Sequence, residues 1–176
     1  MKPFVSRWLL PCALSVSVFF ADLMAKAWAN SHLRYGHSES FVPGLLRLTL
    51  TRNPGAAFGI GKSQRWLMTL LASSIVIGII LWMFNREKSD SPPNALERCG
   101  VGVIIGGALG NLFDRLTRSE VTDFLEFSFI DFPVFNVADA LIDVGAALVI
   151  IGAFAVSKAQ QRKLEDKPAT SAEEKP

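Results

Sequence analysis

Charge is scarce in this chain. Only 19% of its 176 residues are Asp, Glu, Lys or Arg, half are hydrophobic, and the mean hydropathy is +0.32. Its apolar residues are not scattered as in a soluble core but gathered into long blocks. Cysteine is nearly absent too. Cys12 and Cys99 are the two present, both in or beside apolar blocks, and a structural disulfide is not expected of them. Histidine is limited to His32 and His37, neither with a metal-ligand partner at useful spacing, which argues against a zinc site. The formal charge of +2 comes without a basic stripe, so a nucleic-acid partner has no support.

What is present is length in the apolar runs. Trp66 to Phe84 is 19 residues without a charge. At about 1.5 Å per residue, such a helix crosses a hydrocarbon core of about 30 Å. Four spans are predicted, at about 8–28, 66–84, 99–113 and 136–157. The third and fourth carry polar residues and are less hydropathic than the second. Ten Lys and Arg flank the spans on one side: Lys2, Arg7, Arg86, Lys88, Arg98, Lys158, Arg162, Lys163, Lys167 and Lys175. Seven lie on the other: Arg34, Arg47, Arg52, Lys62, Arg65, Arg115 and Arg118. This bias places both termini in the cytoplasm, as an even number of spans requires. The first span, with Ala25-Lys26-Ala27 near its end, has the outline of a cleaved signal peptide. Asp22 and Lys26 interrupt it just before the supposed cut, and their i, i+4 spacing sets them on one helix face as an ion pair. A retained span is therefore expected.

Between Ser31 and Arg65 the chain faces outward. Leu46 to Arg52 alternates apolar and polar residues between the turn signals Pro43-Gly44 and Asn53-Pro54-Gly55, which is a strand pattern. A small sheet over about 41–60 is expected on the outer membrane face, with Leu125 to Phe129 as a short extended piece near it. Residues 158–176 are rich in Lys, Glu, Ala and Pro and are expected to be a disordered cytoplasmic tail. The domain proper is 1–157.

Polar residues within the apolar blocks carry the chemistry. A carboxylate costs roughly 2.5–3.5 kcal/mol at a membrane helix centre, so those that persist pair or react. Asn136 is placed to cap the fourth helix, with Asp139 in its first turn, where the helix dipole favours negative charge. The bland reading is that Asp139 only starts the helix. Asp123 lies 16 residues earlier in a Phe-rich stretch broken by Pro133, and its bland reading is a solvated loop residue. Brought together, the two carboxylates would form an acid–base pair able to activate water. Asn111 and Asp114 share a face at the outer end of the third span, and Asp114-Arg115 reads as a local ion pair. Gly106 and Gly110 form a G-x-x-x-G pair, which alone is weak evidence for helix contact. The loop Asn53-Pro54-Gly55-Ala56-Ala57-Phe58-Gly59 permits close backbone approach.

Taken in order, five stretches resemble the lipoprotein signal peptidase (type II signal peptidase) family of bacteria. They are Asp22-(x)3-Lys26, Asn53 to Gly59, Gly107 to Arg115, Val121 to Phe124, and Phe135 to Asp139. The resemblance covers roughly residues 5–157. It implies an all-α membrane protein with four transmembrane helices and a small extracytoplasmic β-sheet and loop. It implies an aspartic endopeptidase that removes signal peptides from diacylglyceryl-modified prolipoproteins, cutting before the lipidated cysteine. Asp123 and Asp139 would be its catalytic pair. Asn53, Gly55, Asn111, Asp114, Arg115 and Asn136 would support the site or bind substrate, and Asp22 and Lys26 would form a structural polar pair. No cofactor and no metal is called for. The partners would be prolipoproteins and membrane lipids, one chain would suffice, and the setting would be the bacterial inner membrane with the site facing the periplasm. Two features depart from the family pattern. Asp143, four residues past Asp139, stands where that pattern calls for no carboxylate, and is expected to face elsewhere or to pair with a cation. The loop between the paired aspartates is rich in Phe rather than Trp. The competing classes are a small proton- or ion-coupled transporter, using Asp22, Lys26, Asp139 and Asp143 as a relay, and a scaffold without turnover.

Overall fold

A computed structural model describes residues 4–55, 65–89 and 91–165. Its elements run α1 (Phe4–His32), β1 (Ser38–Val42), β2 (Leu46–Asn53), α2 (Arg65–Glu87), α3 (Ala95–Arg118), β3 (Val121–Phe127) and α4 (Val137–Glu165). All four helices are long and apolar enough to cross a membrane. They outrun the windows read from hydropathy, because helical backbone continues into the polar flanks. α4 in particular stays helical to Glu165, past the boundary at 157 drawn from hydropathy. Residues 166–176 of the expected tail, and Ala56 to Gly59 of the outer loop, lie outside the described residues.

α3 is the hub. Half of its most apolar window is buried, against 17% or less in each of the other helices, which leave large aliphatic and aromatic side chains facing outward. Glycine explains the close packing. A Cβ at Gly102 or Gly106 would lie 2.5 Å from the carbonyl oxygen of Pro11 or Ser15 in α1, and one at Gly110 would collide with the Asp22 carboxylate. At i, i+4 and i+8 these three make one stripe on which α1 lies. Gly100 and Gly107 on another face of α3 receive the backbone of α4 at Gly145 and Ala138.

At one end of the bundle sits an antiparallel sheet of order β1-β2-β3. Asp123 pairs with Thr51 across the β2–β3 register. Rather than lying in a loop, Asp123 is on a strand that starts at Val121, earlier than the extended piece expected from Leu125. Alternation fails as a signal there because residues 121–124 are buried on both faces. Ser119, in the left-handed conformation at φ 64°, ends α3 and turns the chain into β3, its N–H donating to the Arg115 carbonyl at 3.0 Å. After β3 the chain doubles back. Leu125 and Phe135 exchange two backbone hydrogen bonds of 2.8 Å, and the Phe124 N–H donates to the Phe135 carbonyl at 2.9 Å. This closure delivers the start of α4 to the flank of β3.

Candidate active site

α4 begins with a reciprocal cap. The Asp139 N–H donates to Asn136 Oδ1 at 3.0 Å, and the Asn136 N–H donates to Asp139 Oδ2 at 3.2 Å. The arrangement is a capping box with aspartate as its acidic member. The next free donor of the helix end, the Ala138 N–H, is taken by Asp22 Oδ1 from α1 at 3.0 Å. Asp139 is thus tied into the architecture of the helix start and also faces open space.

Asn136 joins the two aspartates. While its backbone donates to Asp139, its side-chain Nδ2 donates to Asp123 Oδ1 at 2.7 Å. The same Nδ2 lies 3.0 Å from Asn111 Oδ1, and Asn111 Nδ2 donates to Asp139 Oδ1 at 2.7 Å. Two buried amides therefore hold the two carboxylates in one network. Both carboxylates line a cavity of about 480 Å³ with Asn53, Asn111 and Arg115, walled by Val121, Phe127 and residues 132–135. Asp123 is 2% exposed. Burial, together with the nearby charge of Asp139, pushes its carboxyl up to about 7, against the opposing hydrogen bonds from Asn53 and Asn136. A carboxyl so placed still holds its proton in a pH range where an ordinary aspartate has lost it, and it does so beside a second carboxylate. This is the arrangement that general acid–base chemistry on water requires.

Behind the aspartates lies a buried ionic cluster. Lys26 Nζ is 2.7 Å from Asp22 Oδ2, the i, i+4 pair expected from the sequence, and 3.4 Å from Asp114 Oδ2. It also donates to Asn111 Oδ1 at 2.9 Å. Asp114 does not pair with Arg115. Neighbours in a helix point about 100° apart, so Asp114 turns inward to Lys26 and accepts from Arg118 at 3.1 Å and from the Thr122 N–H at 3.0 Å. Arg115 turns to the cavity, where Nη2 donates to the Gly55 carbonyl at 3.3 Å. Asn53 Oδ1 accepts from the Gly55 N–H at 3.0 Å, closing a turn over residues 53–55. Asp143 does not face elsewhere. One helical turn past Asp139 and on the same face, it lines the same cavity. Sequence reasoning missed Thr122, whose N–H links Asp114 to β3. It marked the loop as rich in Phe but did not foresee that Phe127, Phe132 and Phe135 pack as one wall of the cavity, their rings 5.0–6.0 Å apart. No sequence signal separates these phenylalanines from lipid-facing ones.

A family model described as signal peptidase (SPase) II matches residues 14–155. The chain belongs to that family. The match takes in both aspartates and the buried ionic cluster behind them. The lipoprotein signal peptidase of Yersinia enterocolitica is 38% identical over 159 residues, covering 87% of this chain and 91% of its own length. Those of Brevibacillus brevis and Lactiplantibacillus plantarum are 33% and 37% identical over 141 residues, each covering at least 79% of this chain and 90% of the relative. Two solved structures titled as bacterial membrane enzymes superpose on it. One has a TM-score of 0.72 at 26% identity, with 94% of each chain covered. The other has a TM-score of 0.69 at 29% identity, with 80% of this chain and 90% of its own covered. As a signal peptidase II this chain is a peptidase with four membrane-spanning helices and a small sheet, and the transporter reading draws no support from its relatives.

Proposed function

We propose that this signal peptidase is an aspartic endopeptidase whose catalytic pair is Asp123 and Asp139. Its substrates are prolipoproteins already carrying a diacylglyceryl group, cut just before the lipidated cysteine. The observation that carries this reading is Asn136, which hydrogen-bonds one carboxylate through its side chain and the other through its backbone at the wall of a single cavity.

The chemistry is peptide hydrolysis. One carboxylate is ionised and takes a proton from water. The water oxygen bonds to the scissile carbonyl carbon, and the protonated partner donates to the oxygen on which charge develops. As the tetrahedral intermediate collapses, the C–N bond breaks and the leaving amine takes a proton from the pair. Arg115, between the Gly55 carbonyl and the cavity, supplies a fixed positive charge beside the substrate. The walls formed by Val121, Phe127, Phe132 and Phe135 exclude bulk water and strengthen these interactions.

The site lies at the helix ends that meet the sheet, and this fits a substrate that is part lipid and part peptide. Acyl chains remain among the exposed apolar helix faces while the backbone reaches the polar end. The excess of Lys and Arg on the opposite flanks supports cytoplasmic termini and a site open to the periplasm. One chain carries every group named here, which supports action as a monomer. The test is incubation of the purified chain with diacylated and non-lipidated forms of one substrate. Cleavage before the cysteine of the diacylated form alone is expected, and equal cleavage of both would overturn the lipid requirement.

A further inference from the structure

Lys26 lies deep in the bundle, 1% exposed, behind the paired aspartates rather than in their cavity. A buried cation is costly unless each of its neighbours answers it. Here the neighbours share a property: each one holds part of the site. Asp22 accepts the Ala138 N–H and so fixes the start of α4, while Asp114 accepts the Thr122 N–H and so fixes β3 next to Asp123. Asn111 accepts from Lys26 through Oδ1 and donates to Asp139 through Nδ2. That last arrangement is directional. With Lys26 and the Asn136 Nδ2 both on its oxygen, the Asn111 amide can present only its NH₂ to Asp139, and a donor favours the ionised form of the carboxylate it meets. Asp139 also receives the Asn136 N–H and sits in the first turn of α4, while Asp123 lies on a strand with side-chain amide donors.

We propose that Lys26 is a positioning residue for the reaction, acting through Asn111 to keep the negative charge of the pair on Asp139 and the proton on Asp123. This rests on the reading of the two aspartates as the catalytic pair. It makes Asp139 the group that takes the proton from water, and Asp123 the one that donates to the developing oxyanion. Among the described residues, the charged and titratable groups around Asp139 are Lys26 and Asp22 on α1, Asp114 and Arg115 on α3, Asp123 on β3 and Asp143 on α4 itself. Lys26 is tied to Asp139 through the side-chain amide of Asn111, and Arg115 is not among the described partners of that amide.

The deciding measurement is kcat/KM against pH on a diacylated peptide, for Lys26→Met combined with Asp22→Asn, so that Asp22 faces no lost partner and Asp114 keeps Arg118 and the Thr122 N–H. The acidic limb is expected to move up by about one unit, with a plateau about tenfold lower. In an Asn111→Leu background the same change should move the limb no further, since the connecting amide is gone. Rates that fall equally at every pH with both limbs in place, or a limb that moves as far without Asn111, would overturn the proposal while leaving the paired aspartates standing. A second measurement needs no Lys26 variant. In a carboxyl ¹³C NMR titration of the unmodified chain, with Asp123→Asn and Asp139→Asn used for assignment, Asp139 is expected to lose its proton at lower pH than Asp123, and the reverse order would overturn the assignment. Should either Asn variant cleave normally, the catalytic pair itself would fall.

Discussion

The two ends of the helix bundle are both polar, and they are built on opposite principles. At the end away from the sheet, Arg7 and Arg98 meet Glu87, and Arg86 meets Glu97. Glu97 closes a capping box with Asn94, whose side chain also donates to the Gly152 carbonyl of α4 at 2.8 Å. Among the described residues of that cluster three arginines face two glutamates, and each glutamate is held by an arginine. At the sheet end Asp22, Asp114, Asp123 and Asp139 converge around Lys26, with Arg115 and Arg118 at the margin. Carboxylates outnumber the buried cation, and two of them reach a cavity. A balanced cluster fastens helices together. An unbalanced one keeps a proton available, at a cost in stability that the rest of the fold carries.

Substitutions at each end can break this contrast. The largest effect is expected from Asp123→Asn and Asp139→Asn. Each should lower cleavage of a diacylated peptide by about a thousandfold or more while membrane insertion is retained; normal turnover in either would remove the chemistry from this end. Next is Asn136→Ala, which removes the side-chain link to Asp123 and the cap on the Asp139 N–H while leaving the backbone link to Asp139. A loss of about a hundredfold, mainly in kcat, is expected from misplacement alone, and a loss confined to KM would mean that Asn136 serves substrate instead. At the other end, Glu97→Ala removes the acidic half of the capping box and the partner of Arg86. It should cost about 2 kcal/mol in detergent unfolding with kcat/KM within twofold, and a catalytic defect in the folded variant would show that the ends are coupled.

The smallest expected effect follows from the raised carboxyl of Asp123. Its folded-state value of about 7 lies above the ordinary 3.8. The stability linked to its proton is therefore fully present below about pH 4 and is lost as pH rises to about 7. Asp123→Asn has no charge to bury, so its thermal midpoint should exceed that of the unmodified chain by a few degrees above pH 7 and match it near pH 4. A gap that does not widen with pH would mean that this carboxylate is not held under strain.

Much of this site was legible in the sequence because it is written in short-range spacing. Asp22 and Lys26 at i, i+4, and Asn136 and Asp139 at the two positions of a cap, follow from helix geometry alone. So did the strand from Leu46, whose alternation reflects one buried and one half-buried face. Asp123 was legible as a residue but not as part of a strand, because β3 is covered on both sides where it carries it. Asp114-Arg115 misled because adjacency in sequence is not adjacency on a helix. Asp143 misled in the other direction, since the same i, i+4 rule that paired Asp22 with Lys26 places it beside Asp139. The arginine–glutamate clasp was out of reach, as it joins helices at separations that no periodicity reports. The Asn94-x-x-Glu97 cap was readable in principle.

The double hydrogen bond between Leu125 and Phe135 has an evolutionary corollary. It cinches the chain at the base of the 125–135 excursion, so the spacing of the two acidic groups is set below that knot and the tip above it is insulated. Phe132, Pro133 and Val134 sit in the tip and touch the space where a substrate would lie. On the proposed assignment of Asp123 and Asp139, substitutions at residues 132–134 would change which polypeptides are accepted while leaving the paired aspartates in place.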